Sequence, residues 1–337
     1  MKVARLHGPD DVRLDEVGTP EPGPRDAVLR VDACGICGSD IGYIKLGGMA
    51  GPTREPIALG HEFSAVVDRV GDEVTHVAPG DRVVMNPIAA ANDVGNGNPE
   101  SGGFCPEVLA RNVTEPGVLF ALPDTLPADR AALAEPLGVG MQSVNQADLA
   151  PGARVVVFGA GCIGMMAMVT LKDRGFENVA IVDVSDARLE IAAKLGADLT
   201  LNPNRDDVWA RLREVHGQDL LLGTIPCTGS DAYIECTGAS AVMTDILNQA
   251  KPGAHISIPA LHREMFPMPL MTVMMKQLQI RGSMCYPDDF GETVELLSRV
   301  DLSPLITHRF PLDRFDEAVA AARDTASAGK VLIEFAR

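Results

Sequence analysis

The chain carries a thiol, an imidazole and carboxylates at positions that can form a metal site. Cys37 stands in the stretch ACGICGSD, three residues after Cys34, and His61 and Glu62 follow in ALGHEF. A further carboxylate, Glu135, lies in AALAEPLGVG. A catalytic zinc ion needs only three protein ligands and keeps an open position for water or substrate. These residue types meet that need, although their wide spacing leaves open the alternative that His61 is an ordinary polar histidine.

The Cys34–Cys37 pair has two other interpretations, a zinc knuckle and a redox pair. A structural zinc site needs four soft ligands, usually two cysteine pairs. A thioredoxin-like redox pair opens a helix after the first strand of its own fold, whereas this pair follows a barrel-like strand. Both interpretations are weakened because the remaining cysteines stand singly, at positions 105, 162, 227, 236 and 285.

A glycine-rich turn follows the apolar stretch RVVVF and leads into the helical stretch CIGMMAMVTLKDRG. Its first glycine permits a tight turn, the second lets the backbone approach a pyrophosphate, and the third lets helix and strand pack closely. The helix N-terminus adds N–H groups and a positive dipole end. A packing turn in an ordinary α/β domain is the alternative. The predicted cofactor-binding residues of the turn are Gly159, Gly161, Cys162, Ile163 and Gly164.

Asp183 ends the next predicted strand, NVAIVDV, 19 residues after Gly164. A carboxylate at this place accepts hydrogen bonds from the adenosine ribose and repels an added 2′-phosphate. The following residues, Val184 to Asp186, offer no cation for such a phosphate, and Asp186 adds a second carboxylate. We therefore expect NAD rather than NADP as the cofactor.

Length and charge exclude several classes of protein. At 337 residues the chain is long enough for two domains, because one core rarely grows beyond roughly 250–300 residues. The net charge of −17 argues against a nucleic-acid partner. No apolar run approaches the ~20 residues of a membrane span, and the polar N-terminus lacks the apolar region of a signal peptide. We expect a soluble, cytoplasmic protein.

Two kinds of segment must position these residues, since the chain changes character near residue 150. Before that point, short alternating runs such as AVLRVDA and FSAVVDRV are separated by Gly/Pro turns, which predicts a small antiparallel barrel. Beyond it, continuous apolar strands alternate with helices, which predicts a parallel sheet covered on both faces. The expected fold class is α/β.

Several motifs occur together in the order typical of one family. They are CGICGSD, LGHEFSAVVDRVGDEVTHVAPGDRVV, SGGF, AALAEPLGVG, VVVFGAGCIG and VDVSDARLEIAAKLGAD. Over essentially the whole chain they resemble the zinc-dependent medium-chain alcohol dehydrogenases, above all the sorbitol, butanediol and threonine dehydrogenase branch. The resemblance implies a GroES-like β-barrel catalytic domain at residues 1–140 and 283–337 and a Rossmann doubly wound domain at 141–282. It also implies an active site between the two and a homodimer or homotetramer.

The resemblance also assigns roles at the metal site. It implies that Cys37, His61 and Glu135 bind one zinc ion, with Glu62 beside the metal or as an alternate ligand. Asp40 would orient His61, as carboxylates beside metal-bound histidines do. Cys34 would be a small packed residue. The implied catalytic residues are Ser39, Asp40 and Glu62; the further cofactor-binding residues are Arg188, Pro259, Met284 and Lys330; the substrate-binding residues are Tyr43 and Tyr286.

Three departures from the family pattern bear on function. Relatives with a second, structural zinc use four cysteines in a lobe where this chain has only Cys105, so we predict one zinc per chain. Gly42 replaces a proton-relaying histidine, which leaves Ser39, the nicotinamide ribose and water as a route. Cys285 replaces an arginine of the sorbitol branch, which weakens the case for a highly hydroxylated substrate.

The methionine-rich segment EMFPMPLMTVMMKQ is interpreted as a core or subunit-interface helix, with a substrate wall as the alternative.

The resemblance implies a reversible hydride transfer between a secondary alcohol or diol and NAD, giving a ketone. An amino-alcohol dehydrogenase of the threonine type is an alternative within the same chemistry. A second alternative is a protein that catalyses no reaction, namely an NAD-binding sensor or structural protein. A third alternative is a zinc-free quinone reductase.

Overall fold

The computed structural model describes residues 1–336, which form two compact units. The first unit comprises Met1–Glu135 and the segment from Asp289 onward, and the second comprises Pro136–Asp288. In the described part of the chain no helix is both long enough and apolar enough to cross a membrane.

The elements are numbered in chain order. The strands are β1 Lys2–Gly8, β2 Asp11–Glu16, β3 Ala27–Gly35, β4 Ile57–Ala58, β5 Glu62–Val70, β6 Arg82–Met85, β7 Glu107–Ala110, β8 Leu119–Ala121, β9 Val155–Phe158, β10 Val179–Val182, β11 Leu199–Leu201, β12 Gln218–Leu221, β13 Ile225–Thr228, β14 Ala232–Glu235, β15 His255–Ile258, β16 Gln279–Gly282, β17 Ile306–Pro311 and β18 Lys330–Glu334. The α-helices are α1 Gly38–Leu46, α2 Ala128–Ala131, α3 Ala134–Gln146, α4 Cys162–Asp173, α5 Asp186–Lys194, α6 Val208–His216, α7 Ser240–Gln249, α8 Leu270–Lys276, α9 Gly291–Arg299 and α10 Phe315–Arg323. Short 3₁₀ turns occur at Ala89–Ala91, Ser303–Leu305 and Leu312–Arg314.

The first unit is built on a sheet in the order β17-β18-β3-β5-β6-β8, with β7 also pairing with β3, and on a smaller sheet β2-β1-β4. The antiparallel register of β3 and β5 sets Gly35 opposite Glu62 and Cys34 opposite Phe63. Cys34 is completely buried in the core, which confirms that it is a packed residue. Because β3 ends where β5 begins, the residues just after β3 and just before β5 lie side by side.

The second unit contains a parallel sheet in the order β11-β10-β9-β14-β15-β16. Every residue of β9, β10 and β14 is buried, as expected for strands covered by helices on both faces. The chain starts at the middle of this sheet and winds outward in both directions, so the strand order reverses between β9 and β14. A sheet of this kind binds ligands at the carboxyl ends of the strands, at that reversal point.

Two segments of the second unit expose apolar side chains. The methionine-rich segment forms only the short α8, because Pro267 and Pro269 precede it and disfavour a longer helix. Met271 and Met274 are largely exposed on α8, so of the two predicted roles they do not fit the core, and the subunit interface stays a prediction. Strands β12 and β13 form an antiparallel hairpin whose turn exposes Leu222.

Side-chain hydrogen bonds close the lobe between β6 and β7. The buried Asn92 donates from Nδ2 to the carbonyls of Ala89 and Arg111, and its Oδ1 accepts from the Arg111 N–H at 2.8 Å. Asn98 donates to the Asn92 carbonyl at 2.8 Å. Burial raises the pKa of Cys105 to about 12, so this residue stays a thiol and hydrogen-bonds to backbone carbonyls. Amide and thiol groups thus hold the lobe together.

We expect Asn92→Ala to loosen this lobe, because the buried Arg111 N–H and two carbonyls would lose their partner. Such losses cost about 1–3 kcal/mol, which corresponds to roughly five- to hundredfold faster local amide exchange. Hydrogen exchange at Arg111 measures this. The matched control is Asn96→Ala, which removes only one long bond of 3.3 Å to Val94. Equal exchange rates in both variants would contradict the assignment.

Candidate metal centre and dinucleotide site

Cys37, His61 and Glu62 come together in the first unit. One ligand atom from each lies within 4.8 Å of the others, and His61 and Glu62 are buried. The β3–β5 register explains the meeting, since Cys37 follows β3 and His61 precedes β5. Among residues 1–336 this is the group of three that can hold a metal ion.

Helix α1 fixes Cys37 in place. Cys37 is the N-cap residue, and its sulfur accepts a hydrogen bond from the Ser39 N–H at 3.5 Å. The side chain of Asp40 reaches back to the Cys37 N–H at 2.8 Å, which completes a capping box. The sequence CGSD therefore both starts the helix and presents a candidate metal ligand.

The surroundings of His61 favour a positive charge. Burial by itself lowers the pKa of His61, but the Asp40 carboxylate and the Cys37 sulfur hold it well above its usual value. Asp40 Oδ1 lies 3.8 Å from His61 Nδ1, and this nitrogen is buried without a hydrogen-bond partner among the residues described. Burial raises the pKa of Asp40 itself. The acidic groups around this imidazole fit a bound cation such as zinc, while Nδ1 faces Asp40, the residue predicted to orient the ring.

Glu62 forms a buried ion pair with Lys330. The Lys330 ammonium donates to the two Glu62 oxygens at 2.8 and 2.6 Å and to the Ile36 carbonyl at 3.2 Å. Gly35 leaves room for this carboxylate, since a Cβ there would lie 2.1 Å from Glu62 Oε2. The sequence predicted Lys330 as a cofactor-binding residue. The structure places its ammonium on Glu62, a partner that the sequence analysis missed because the two residues lie 268 positions apart.

Glu135 lies near the same group at the start of α3. It is 7% exposed, and its negative charge adds a smaller contribution to the raised pKa values of His61, after Asp40 and Cys37, and of Tyr43, after burial. It lies outside the group of three whose ligand atoms fall within 4.8 Å of one another. Its predicted role as the third zinc ligand therefore stays a proposal.

Two hydroxyl groups adjoin the metal ligands. Ser39 Oγ lies 3.5 Å from His61 Nε2, and the hydroxyl of Tyr43, four residues further along α1, lies close enough to Ser39 for that side chain to influence its pKa. Burial raises the pKa of Tyr43, so this hydroxyl keeps its proton at neutral pH. Two hydroxyl groups therefore lie beside the candidate cation site.

The glycine-rich turn lies between β9 and α4 in the second unit. Gly159 has φ +98°, and a Cβ at Gly164 would lie 1.8 Å from the Gly159 carbonyl, so both positions require glycine. Gly161 is the N-cap of α4 and supplies no side-chain cap. A Cβ at Gly161 would approach only Arg188 Nη1, at 4.0 Å. Open space, uncapped N–H groups and a nearby guanidinium fit a pyrophosphate.

Asp183 is held at the end of β10 by two backbone N–H groups. Its carboxylate accepts from Ala160 at 2.7 Å and from Ser185 at 2.8 Å, and each oxygen keeps a free lone pair for a ribose hydroxyl. The expectation that a 2′-phosphate would meet two unpaired carboxylates needs correction. Asp186 is paired with Arg205, a cation that reaches it from beyond β11.

The remaining predicted site residues lie elsewhere in the second unit. Cys162 and Ile163 begin α4, and Pro259 directly follows β15. Met284 and Tyr286 lie after β16, where Met284 is 78% exposed.

The sequence analysis did not single out Glu235, the last residue of β14, although a charged residue that ends an apolar strand is a recognisable signal.

Two family profiles match the chain. The profile described as an alcohol dehydrogenase GroES-like domain matches residues 23–124, and the profile described as a zinc-binding dehydrogenase matches residues 162–299. Human sorbitol dehydrogenase is 34% identical over 332 residues, which covers 93% of this chain and 90% of the human protein.

Solved structures share the fold. The 2R,3R-butanediol dehydrogenase from Bacillus subtilis matches with a TM-score of 0.87 at 27% identity, over 99% of each chain. A zinc-binding dehydrogenase from Sinorhizobium meliloti 1021, solved bound to NADP, matches with a TM-score of 0.82 at 26% identity, over 99% of each chain. The predicted combination of a GroES-like domain and a Rossmann-type parallel sheet is confirmed.

We expect Cys37→Ala or His61→Ala to lose bound zinc while keeping NADH binding, because the two sites lie in different units. Cys34→Ala is the matched control and should keep its zinc. Elemental analysis of dialysed protein, with NADH fluorescence titration, measures both properties. We expect one zinc per chain in the unmodified protein; two tightly bound zinc ions, or full zinc in Cys37→Ala, would contradict the assignment.

Proposed function

Because this chain belongs to the zinc-binding alcohol dehydrogenase family and is a zinc-dependent oxidoreductase, we propose that it oxidises a secondary alcohol or diol to a ketone. The alcohol carbon gives a hydride to C4 of NAD and the hydroxyl gives up a proton, and both steps are reversible. The observation that carries this proposal is the group of Cys37, His61 and Glu62, in which His61 and Glu62 are buried and the acidic surroundings favour a cation.

The metal ligands would hold the zinc ion at the alcohol oxygen, and the hydroxyl groups would accept the alcohol proton. When bound, zinc acts as a Lewis acid that polarises the alcohol oxygen. Cys37 and His61 would hold the ion, Glu135 would complete the ligand set, and Asp40 would fix the orientation of the imidazole. Glu62, paired with Lys330, would supply a neighbouring negative charge or an alternate ligand.

Ser39 would accept the proton of the substrate hydroxyl. The Tyr43 hydroxyl lies nearby and would offer the proton a second oxygen, although Gly42 offers no side chain. Hydroxyl chains of this kind work as relays when each group lies within hydrogen-bond reach of the next. Tyr43 would also contact the substrate.

The second unit would bind the dinucleotide. The turn from Gly159 to Gly164 would hold the pyrophosphate at the N-terminus of α4, and Asp183 would bind the adenosine ribose. Arg188, 4.0 Å from the Cβ position of Gly161, would lie over the adenine or beside the phosphates. The preference for NAD would come from Asp183, since Arg205 offsets the charge of Asp186.

The substrate class follows from the relatives and from one residue. Sorbitol dehydrogenase and butanediol dehydrogenase are among them, which favours a compound with neighbouring hydroxyl groups. Cys285 offers a weaker hydrogen-bonding group than the arginine of the sorbitol branch. We therefore favour a short diol over a long polyol.

A second copy of the chain would cover the exposed apolar side chains beside β16. This strand lies at the edge of its sheet, and α8 exposes Met271 and Met274 nearby in sequence. Open strand edges with apolar neighbours favour association. Light scattering of the purified protein distinguishes a homodimer or homotetramer from a monomer.

An assay of alcohols and diols with NAD and NADP tests the proposal. We expect NADH formation from a short diol, abolished by chelation of zinc and restored by its return. NAD should exceed NADP in kcat/KM by about tenfold or more, because a phosphate beside Asp183 meets like charge in a partly buried site. Asp183→Ala should narrow that gap mainly by weakening NAD, and Asp219→Ala, an exposed acid of the same unit, is the control.

No turnover with any alcohol by zinc-loaded protein would contradict the proposed reaction. Equal kcat/KM values for the two cofactors would contradict only the role of Asp183.

A further inference from the structure

A completely buried carboxylate, Glu235, ends β14 in the second unit. Its Oε1 accepts hydrogen bonds from the Thr237 N–H at 2.8 Å, from the Thr237 hydroxyl and from the Gly238 N–H at 3.1 Å. A buried charge is tolerated only when donors satisfy it. These local donors fold the chain after β14 into a tight turn around the carboxylate.

His262 supplies the donor that comes from a different loop. Its Nε2 lies 2.7 Å from Glu235 Oε2, where the other contact is a bond of 3.2 Å from the Gly238 N–H. His262 lies four residues beyond β15 and is mostly buried. The imidazole therefore ties the loop after β15 to the turn after β14. The same two loops touch at Gly238, where a Cβ would lie 3.0 Å from the Leu261 carbonyl.

This tie lies next to the glycine-rich turn. The Cys236 N–H donates to the Phe158 carbonyl at 2.8 Å, and a Cβ at Gly159 would lie 3.1 Å from Thr237 Cγ2. The loops after β9, β14 and β15 thus form one packed rim at the carboxyl ends of the strands. In a doubly wound sheet the strands on either side of the reversal point bind the two halves of a dinucleotide.

The halves can be told apart from the described contacts. Asp183 directly follows β10, on the side of β9 that would take the adenosine ribose. Glu235 and His262 lie on the opposite side of β9, at β14 and β15, which leaves the second mononucleotide to that side.

We propose that His262 is a positioning residue for the nicotinamide half of the cofactor, and that it acts by holding the loop after β15 against Glu235. The proposal rests on the proposed function, because it assumes that the second unit binds a nicotinamide dinucleotide. Pro259, at the start of that loop, is among the residues predicted to touch the cofactor. Without the imidazole, Glu235 Oε2 would keep only its long bond to Gly238, and the loop would lose its fixed point on the rim.

Binding measurements on the zinc-loaded protein separate this role from a general structural one. Fluorescence titration gives the Kd for NADH, and competition gives the Kd for ADP, which lacks the nicotinamide half. We expect His262→Ala to raise the Kd for NADH by about tenfold, the loss of one hydrogen bond to a charged group, while the Kd for ADP stays within about twofold. His262→Gln retains an N–H donor and should recover most of the NADH affinity.

Leu261→Ala is the matched control, since Leu261 lies in the same loop with its side chain 64% exposed. The fluorescence of Trp209, the sole tryptophan of the chain, reports whether each variant keeps the second unit folded. An unchanged Kd for NADH in His262→Ala overturns the proposal, as does an equal weakening of NADH and ADP. If His262→Ala fails to fold, His262→Gln is compared with a folded His262→Asn, whose amide donor sits on a side chain one carbon shorter. A Kd for NADH that is equally poor in both variants overturns the proposal.

Failure of the proposed reaction would give a different result. Protein that binds NADH normally but oxidises no alcohol would contradict the reaction and leave the role of His262 intact. Protein that oxidises alcohols but binds NADH equally well with or without His262 would contradict only the positioning role.

Discussion

The structure of the first unit depends on an excess of acidic groups around one buried imidazole. Asp40, Glu62 and Glu135 and the sulfur of Cys37 surround His61, and Lys330 is the cation paired with them. Removing charges from water is costly unless opposite charges compensate them. A metal ion held by Cys37 and His61, as proposed, would supply a further positive charge beside these acidic groups.

The capping of α1 and the pairing of β3 with β5 bring these acidic groups to the imidazole. The capping box of α1 holds Cys37 and Asp40 beside the imidazole, and the β3–β5 register brings Glu62 to the same place. The second unit also has a buried acid, Glu235, whose carboxylate accepts hydrogen bonds from donors in two loops. In both units a buried acid organises the residues that a ligand would contact.

The sequence predicted the features that depend on residues close together along the chain. The glycine-rich turn could be assigned residue by residue, since the tight turn at Gly159 and the close packing at Gly164 depend on neighbours a few positions away. Cys37 and His61 were predicted as metal ligands from the family resemblance, since their spacing alone left His61 open as an ordinary polar histidine, and their metal role stays a prediction. The two-part fold followed from the change in hydrophobic pattern near residue 150.

Contacts between distant segments could not be predicted in this way. The Lys330–Glu62 pair joins the last strand to β5, and Arg205 reaches Asp186 from beyond the neighbouring strand. Asn92 carries no signal in the sequence that would reveal its role in closing a lobe. The methionines of α8 suited a core by composition, yet they are exposed because no described segment of the second unit covers them.

X-ray absorption spectroscopy at the zinc edge of the metal-loaded protein tests most directly whether Cys37 and His61 together hold the ion. The expected first shell contains one sulfur at about 2.3 Å and nitrogen or oxygen ligands at about 2.0–2.2 Å, with the imidazole visible by its outer-shell scattering. Cys37→Ser should remove the sulfur and leave the imidazole. A shell of several sulfurs, or one with no sulfur at all in the unmodified protein, would contradict the account.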